Sequence, residues 1–202
     1  MTLDASPLTI RNHRLKSLAM IEPAPGVLLI ADPFLKDPNF VRSVIFLCEH
    51  QKQGSFGFVL NRQIEQTLDE LLNSFDGHQF PVYYGGPVQT DTIHFLHQYP
   101  DAIKGGNEVM KGVYWGGDFE KLTYMIQHNL VTPDKIRFFI GYSGWSSGQL
   151  GTELKEKTWL TASATRKIVF NEHPENTWKE SLEELGGDYK MMANFPIDPQ
   201  LN

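Results

Sequence analysis

Residues 144–148, with the sequence GWSSG, have the G-x-S-x-G spacing that serine hydrolases use to expose a nucleophile. They follow an apolar strand-like run and precede a possible short helix, which is the context that a nucleophile elbow requires. No Asp-then-His order follows Ser146, because His173 precedes Asp188, so Glu153 is the remaining candidate for an orienting acid. The same glycines suit a tight turn in which a serine caps the helix. Ser146 is the one catalytic candidate, and the turn favours a protein that is not an enzyme.

Metal-binding and phosphate-binding motifs have characteristic residue spacings, and the sequence contains none of them. The seven histidines form no His-Glu-x-x-His pair, and the single cysteine, Cys48, cannot build a zinc cluster. His94 and His97 are three residues apart on a predicted strand, so they would point to opposite faces. The glycines at 85–86 and 116–117 match neither G-x-G-x-x-G nor the Walker pattern. The sequence therefore predicts no metal and no cofactor.

The charge balance argues against a nucleic-acid partner. The net charge of the 202-residue chain is −6, so its overall field repels polyanions. The basic residues at 11–16 are an exception, but they are few by nucleic-acid standards and are typical of a solvated arm or helix face. We expect no direct DNA binding.

Apolar runs and cysteine content indicate the compartment. The longest apolar runs, such as 26–31 and 43–48, are far shorter than the roughly 18 to 20 residues that span a bilayer. The first residues lack the basic start and apolar core of a secretory signal. One cysteine cannot form an internal disulfide, which suits a reducing compartment. The sequence predicts a cytoplasmic protein with no membrane contact.

The elements that must position any site are mostly strands. A polar loop at 49–54 is expected to join two of them as a hairpin. Apolar runs bounded by Gly, Pro or Asp predict strands at 26–31, 43–48, 56–60, 82–84, 92–96, 109–114, 135–142 and 167–170, with an extended segment at 159–162.

Helix signals are fewer and unevenly spaced. Capping boxes begin at Thr67 and Thr177, Asp118 is a candidate cap for a second helix, and a short helix is expected at 149–156. The glycines at 186–187 supply a left-handed stop. Many strands with few helices predict an α+β fold with a mixed sheet, possible curling, and one domain over 1–202. Residues 1–22 form an arm or a helix in this prediction.

Several stretches occur together in the order seen in one known family. They are residues 26–33 (GVLLIADP), 37–45 (DPNFVRSVI) followed by His50, 57–62 (GFVLNR), 85–88 (GGPV) and 141–150 (GYSGWSSGQL). With these motifs the chain resembles the AlgH/YqgE family from about residue 20 to 190. Its closing segment, 178–196, is similar to that of Bacteroidetes-type members.

The resemblance implies a fold and little chemistry. It implies a mainly antiparallel sheet curled into a partly closed, barrel-like body with helices packed around it. The family name derives from a proposed role in regulating alginate synthesis, and many members are labelled transcriptional regulators. No biochemical activity is firmly attached to the fold, so no catalytic residue is carried over.

Polar residues inside or next to those stretches are the candidate binding residues. Each lies at a strand end or in a loop, where it serves either a turn or a ligand. Arg42 and Arg62 are expected to pair with Asp32 or Asp37 and to brace the loops. The binding candidates are Asp37, Arg42, His50, Asn61, Arg62, Tyr142, Trp145 and Gln149.

The glycines and prolines around these candidates predict one shared surface. The loops at 32–42 and 142–149 are expected to meet near Asn61 and Arg62, and Trp145 is expected to plug the end of the sheet rather than to serve as an exposed anchor. We therefore predict a non-enzymatic regulatory or binding protein that acts through a protein or small-molecule partner. The alternative is a serine hydrolase that uses Ser146.

Overall fold

The computed structural model describes residues 20–195, which form ten strands and six helices. The strands are β1 (Val27–Ala31), β2 (Val44–Gln51), β3 (Gly54–Val59), β4 (Gln63–Thr67), β5 (Pro81–Tyr84), β6 (Val88–His97), β7 (Asn107–Met110), β8 (Val113–Trp115), β9 (Ile136–Ser146) and β10 (Trp159–Ser163). The helices are α1 (Leu68–Leu71), α2 (Phe119–Gln127), α3 (Gln149–Lys155), α4 (Arg166–Val169), α5 (Thr177–Leu185) and α6 (Gly187–Met192).

The strands form one mixed, mainly antiparallel sheet. Its order is β10-β1-β2-β3-β9-β6-β8-β7, and β5 pairs with both β4 and β9. The β5–β9 pair is parallel, and every other pair described is antiparallel. The α+β prediction is confirmed. The sheet stays open between β10 and β7, so the barrel-like form that the resemblance implied is only partial.

The long strand β9 changes neighbours in its middle. Its first half lies between β5 and β6, with Phe139 opposite both Tyr83 and His94, and its second half pairs with β3, with Trp145 opposite Ser55. Gly141 stands at the change with a left-handed φ of 64°. A Cβ atom there would lie 2.5 Å from the carbonyl oxygen of Gly86, so no larger residue fits the crossing.

The sheet buries a core on each face, because successive residues of a strand point to opposite sides. Phe139 belongs to the cluster formed by β1, β2, β3, β10 and α5, in which Trp178 donates its indole N–H to the carbonyl of Ala31 over 2.9 Å. Phe138, its neighbour in sequence, belongs to the second cluster, under α2 with Leu122 and Ile126.

Some predictions lie outside the described residues or concern membranes. The basic stretch at 11–16 and all but the last three residues of the predicted arm at 1–22 lie outside the described range. Within residues 20–195, none of the helices has the length and apolar character needed to cross a bilayer.

Two predicted boundaries in the sheet are wrong. The hairpin predicted around 49–54 is present, but its connection is only a two-residue turn, because β2 runs to Gln51 and β3 starts at Gly54, with a β-bulge between Leu47 and Glu49. The predicted strand at 109–114 is a hairpin of β7 and β8, which turns at Gly112 with a φ of 79°. In both cases the composition predicted the apolar segment correctly but not the position of the turn.

Three predictions near the C-terminus are also corrected. The strand predicted at 167–170 is the helix α4, capped by Thr165, whose hydroxyl accepts the N–H of Ile168. Thr177 is the first residue of α5 and makes no capping box, because a 3-10 turn at Pro174–Asn176 leads directly into the helix. The helix α6 follows the glycine stop at Gly186, where regular structure was not predicted.

Other local signals are confirmed. Glu70 accepts the backbone N–H of Thr67 over 2.8 Å, as the capping box requires, although α1 lasts only one turn before a 3-10 turn at Asn73–Phe75. Asp118 caps α2 by accepting the N–H of Lys121 over 2.9 Å. The segments at 159–162 and 149–156 form β10 and α3.

The crossing at Gly141 generates a stability prediction. Gly141→Ala introduces both a strained φ and a backbone clash, whereas Gly105→Ala introduces a similar φ of 78° with no atom within 4 Å. We expect Gly105→Ala to lower the free energy of unfolding by roughly 1–2 kcal/mol. We expect Gly141→Ala to cost roughly 1–3 kcal/mol more, from overpacking. Equal losses for the two variants in urea denaturation would contradict this account of the crossing.

Candidate functional site

A cleft of about 620 Å³ opens on one face of the sheet where β3, β6, β8 and β9 meet. Its volume is within the range of small-molecule sites. The cleft is lined by aromatic and histidine side chains, by Val88 and Gly144, and by polar side chains that include Glu49, Gln53, Ser55 and Gln89. We call it the aromatic cleft.

Three half-buried rings form the wall of the aromatic cleft. Phe56 lies 4.7 Å from Trp115 and 5.9 Å from Tyr142, measured between ring centroids. The rings meet at angles of 62° and 76°, so they make a curved wall instead of a closed stack. They rest on the buried stack of Phe58 and Phe139, whose centroids are 4.7 Å apart. The wall is therefore held from below by the core.

His94 lies between the same rings. Its centroid is 6.4 Å from that of Trp115, 5.9 Å from that of Tyr142 and 5.4 Å from that of Phe58. Its Nε2 atom is buried and has no hydrogen-bond partner in the described part of the chain. Burial lowers the pKa of His94 below its usual value, so the ring is neutral at pH 7. His94 therefore gives the cleft a polar group without a positive charge.

An irregularity of β6 shapes the mouth of the cleft. β6 pairs with β9 at Val88 and Tyr142, then again at Ile93 and Ile140, so several residues of β6 oppose one residue of β9. Gln89, in this bulged part, has a φ of 50°, which is uncommon for a residue other than glycine. Bulges often occur next to sites, where they redirect side chains.

The histidine pair singled out in the sequence does not converge on a metal. His97 is fully buried, with Nδ1 accepting the N–H of Tyr99 over 3.1 Å and Nε2 lying 3.0 Å from the carbonyl oxygen of Gly116. This pairing makes Nε2 the protonated nitrogen. Residues 20–195 contain no group of three or more His, Cys, Asp and Glu side chains placed to hold a metal.

Four predicted binding residues lie together at the far end of β3. Asn61 accepts the N–H of Val44 over 2.9 Å and donates to the carbonyl of Arg42 over 2.8 Å. Arg62 donates to the carbonyls of Pro38 and Val41. All these contacts stabilise loop backbone.

The two aspartates at this end of β3 stabilise turns. Asp37 accepts the N–H of Asn39, and Asp32 accepts that of Phe34, both over 2.8 Å. Neither aspartate forms an ion pair with Arg42 or Arg62 in the described residues, so that predicted pairing is wrong.

Arg42 instead contacts the C-terminal segment. Its guanidinium lies 4.9 Å from the centre of the Trp178 ring and donates to the carbonyl of Phe195. Asn61 and Arg62 also line a polar pocket of about 530 Å³, together with Tyr84 and Glu175. A binding role for these residues stays a prediction.

The other four predicted residues lie at the opposite end of β3. His50 and Gln149 are exposed, whereas Tyr142 and the buried Trp145 line the aromatic cleft. Trp145 pairs with Ser55, and the strand from Ser55 to Leu60 spans roughly 16 Å, with Arg62 two residues farther on. The single surface predicted for the two loops near Asn61 and Arg62 stays a prediction, because Phe40 of the first loop packs on Trp159 and Trp159 packs on Trp145, with centroid distances of 5.5 Å and 6.0 Å.

Trp145 is the plug that the sequence favoured. It is 6% exposed and meets the Trp159 ring edge-on, with a centroid distance of 6.0 Å. Both indoles donate to Glu153, over 2.8 Å and 2.7 Å. Glu153 thus fixes two tryptophans and is not directed at a histidine.

Ser146 is exposed at the end of β9. Its hydroxyl donates to the side-chain oxygen of Gln149 over 3.2 Å, and its backbone N–H donates to the same oxygen over 3.0 Å. His50, on the neighbouring hairpin, is hydrogen-bonded to Ser55 over 2.7 Å and not to Ser146. The predicted tight turn before α3 is present, but the predicted serine cap is wrong, because the N-cap residue of α3 is Gly148, with a φ of 76° and no side-chain capping bond.

Sequence reasoning missed most of the aromatic cleft. Phe56 was predicted only as a strand residue, Trp115 was not singled out, and His94 was considered only as a metal ligand. One signal was available: each of three strands has an aromatic ring near a glycine or a bulge. That these three strands lie next to one another depends on long-range pairing.

With the geometry established, comparison with known proteins gives the family. The AlgH-like family model matches residues 28–190. The chain belongs to the AlgH-like family. It is 46% identical to a UPF0301 protein of Chlorobium limicola over 178 residues, which cover 88% of this chain and 95% of the relative. A UPF0301 protein of Cytophaga hutchinsonii is 42% identical over 178 residues, covering 88% and 98%.

Solved structures agree with this assignment. The solution structure of AlgH from Pseudomonas aeruginosa matches with a TM-score of 0.67 at 30% identity, covering 88% of this chain and 98% of that one. A crystal structure from Corynebacterium diphtheriae matches with a TM-score of 0.73 at 22% identity, covering 87% and 94%, and shows the fold alone. The family resemblance predicted from the motifs is confirmed for this AlgH-like chain.

The buried position of Trp145 generates a second stability prediction. We expect Trp145→Ala to lower the free energy of unfolding by roughly 3–5 kcal/mol, because it removes a packed ring and a hydrogen bond. Trp145→Phe keeps a ring and loses only the bond to Glu153, so its loss should be smaller. Urea denaturation of both variants measures this. A Trp145→Ala variant as stable as the wild type would show that the ring is not a plug.

Proposed function

We propose that this AlgH-like protein is a non-enzymatic binding protein whose aromatic cleft takes a small molecule or a side chain of a partner, and that regulation follows from this binding. The observation that carries the proposal is the ring wall of Phe56, Trp115 and Tyr142 around the unpartnered Nε2 of His94. Concave, mostly apolar sites with a few polar groups are the usual form of ligand sites.

The buried residues beneath the three rings support this proposal. Half-buried aromatic rings lose little conformational entropy on binding when the core already holds them. Phe58, which supports Phe56 and His94, is fully buried and stacks on Phe139. The cleft is therefore pre-organised, and its rings are available without a rearrangement of the sheet.

Two further parts of the proposal rest on the sequence. The net charge of −6 favours action through a protein or small molecule over direct contact with DNA, so the transcriptional role given to relatives would be indirect. Cytoplasmic location is part of the proposal because the single cysteine, Cys48, suits a reducing compartment.

A fragment screen tests the proposal. We expect small apolar and polar-aromatic fragments to shift the amide NMR signals of residues 54–56, 88–94, 113–115 and 142–145. Trp115→Leu should weaken these shifts at least about fivefold, because stacking on the indole is lost. Tyr124→Leu is the matched control, since Tyr124 is an exposed aromatic residue on α2 outside the cleft. Fragments that bind elsewhere, or that ignore Trp115→Leu, would refute the proposal.

Hydrolysis at Ser146 is the second candidate, favoured by the G-x-S-x-G spacing alone. The hydrogen bond from Ser146 to Gln149 and that from His50 to Ser55 support the binding proposal over it. We expect a fluorophosphonate probe to leave Ser146 unmodified in intact-mass spectrometry while it labels a control serine hydrolase. Modification that disappears in Ser146→Ala would instead make this an enzyme.

A further inference from the structure

We propose that the aromatic cleft selects ligands that carry an organic cation, either an alkylammonium or a guanidinium group. This inference rests on the proposed function, because it requires the cleft to be a binding site. The carrying observation is that Glu49, a half-buried residue paired with Phe56 between β2 and β3, lines the cleft together with the three aromatic rings.

The rings supply the first attraction. The faces of Trp115, Tyr142 and Phe56 carry the negative part of the aromatic quadrupole, which attracts a cation within about 6 Å of a ring centre. Trp115 and Tyr142 flank the same pair of residues, Phe56 and His94, and so bound the space from two sides. A compact cation between them can contact more than one ring.

Charge supplies the second attraction. Glu49 has no hydrogen-bond or ion-pair partner in the described part of the chain. The side chains of residues 20–195 that line the cleft include this carboxylate and neither Lys nor Arg. His94 adds no positive charge, because burial lowers its pKa. The side-chain oxygens of Gln53 and Gln89 can accept further hydrogen bonds from an N–H cation.

Other ligand classes fit these groups less well. An anion would meet the Glu49 carboxylate with no cationic side chain to compensate, and like charges in a partly desolvated site repel. A neutral apolar ligand would gain ring contacts, but it would cover Glu49 without pairing it, which costs free energy. A neutral apolar ligand is therefore the alternative that the experiment must distinguish from an organic cation.

The test compares two ligands of the same shape. Choline and 3,3-dimethyl-1-butanol differ by a nitrogen cation in place of a carbon, and both are titrated into the full-length chain while amide NMR signals are followed. We expect choline to bind roughly tenfold more tightly, at the signals of the aromatic cleft, since the rings and the Glu49 carboxylate attract the cation and not its neutral isostere. Acetate, the anion control, should leave these signals unchanged.

A third ligand distinguishes a partner protein from a free small molecule as the source of the cation. N-acetyl-arginine amide presents a guanidinium as a protein side chain would. Binding that is tighter for this probe than for choline indicates a partner protein, and the reverse indicates a free small molecule. Both outcomes support the inference, whereas tighter binding of the neutral alcohol or of acetate than of either cation overturns it.

A charge-removing variant isolates Glu49. Glu49→Gln keeps the shape of the side chain, and we expect it to weaken choline binding roughly threefold without changing the affinity for the neutral alcohol, because only the attraction of the rings then remains. Glu65→Gln is the matched control, because Glu65 is exposed on β4 outside the cleft, and it should leave both affinities unchanged. Unchanged choline affinity in Glu49→Gln would overturn the inference.

The two proposals fail in different ways. If fragments bind in the cleft but choline and its neutral isostere bind equally, the charge selectivity is wrong and the binding site remains. If neither the fragments nor the cations perturb the cleft, both proposals are wrong.

Discussion

The backbone crossing at Gly141 is the constraint on which the rest of the fold depends. Strand β9 must pair with β5 and β6 in its first half and with β3 in its second, and each pairing satisfies buried N–H and C=O groups that would otherwise be costly. The change of partner brings the segments at Gly85–Gly86 and Gly141 into direct contact. A Cβ on Gly85 would lie 2.3 Å from the carbonyl oxygen of Gly141, and one on Gly86 would lie 2.3 Å from Tyr142. Glycine is the only residue that fits either side.

The aromatic cleft lies next to this crossing. β6 bulges between Val88 and Ile93 where it passes close to Gly141, and the cleft opens beside Tyr142, lined by Val88 and Gln89 of this bulge. The opening exposes one edge of a ring cluster whose base, Phe58 and Phe139, is completely buried. The close backbone packing at Gly141 and the candidate binding surface are therefore built from the same two strands, β6 and β9.

The sequence predicted what depends on neighbours along the chain and missed what depends on distant pairing. The α+β class, the cap at Asp118, the stop at Gly186 and the buried position of Trp145 follow from local composition or from the apolar bulk of one side chain. The register between β3 and β9 does not, because a sheet pairs residues that are about ninety positions apart, as Ser55 and Trp145 are. Without that register, Phe56, His94 and Trp115 could not be recognised as neighbours.

The same register gives the polar residues of the family motifs a physical explanation at the far end of β3. The loop at 37–43 crosses the strand ends, and its carbonyls at Pro38, Val41 and Arg42 would lack partners without the side chains of Asn61 and Arg62. Arg42 adopts a left-handed φ of 54°, a strained conformation that persists only where surrounding contacts fix it, as Asn61 does here. These residues are therefore needed whether or not a ligand binds them. Among the described contacts, the side chains of Glu49 and Gln89 form no hydrogen bond to the backbone of a loop. Ligand binding therefore explains the polar side chains at the aromatic cleft better than it explains those at the opposite end of β3.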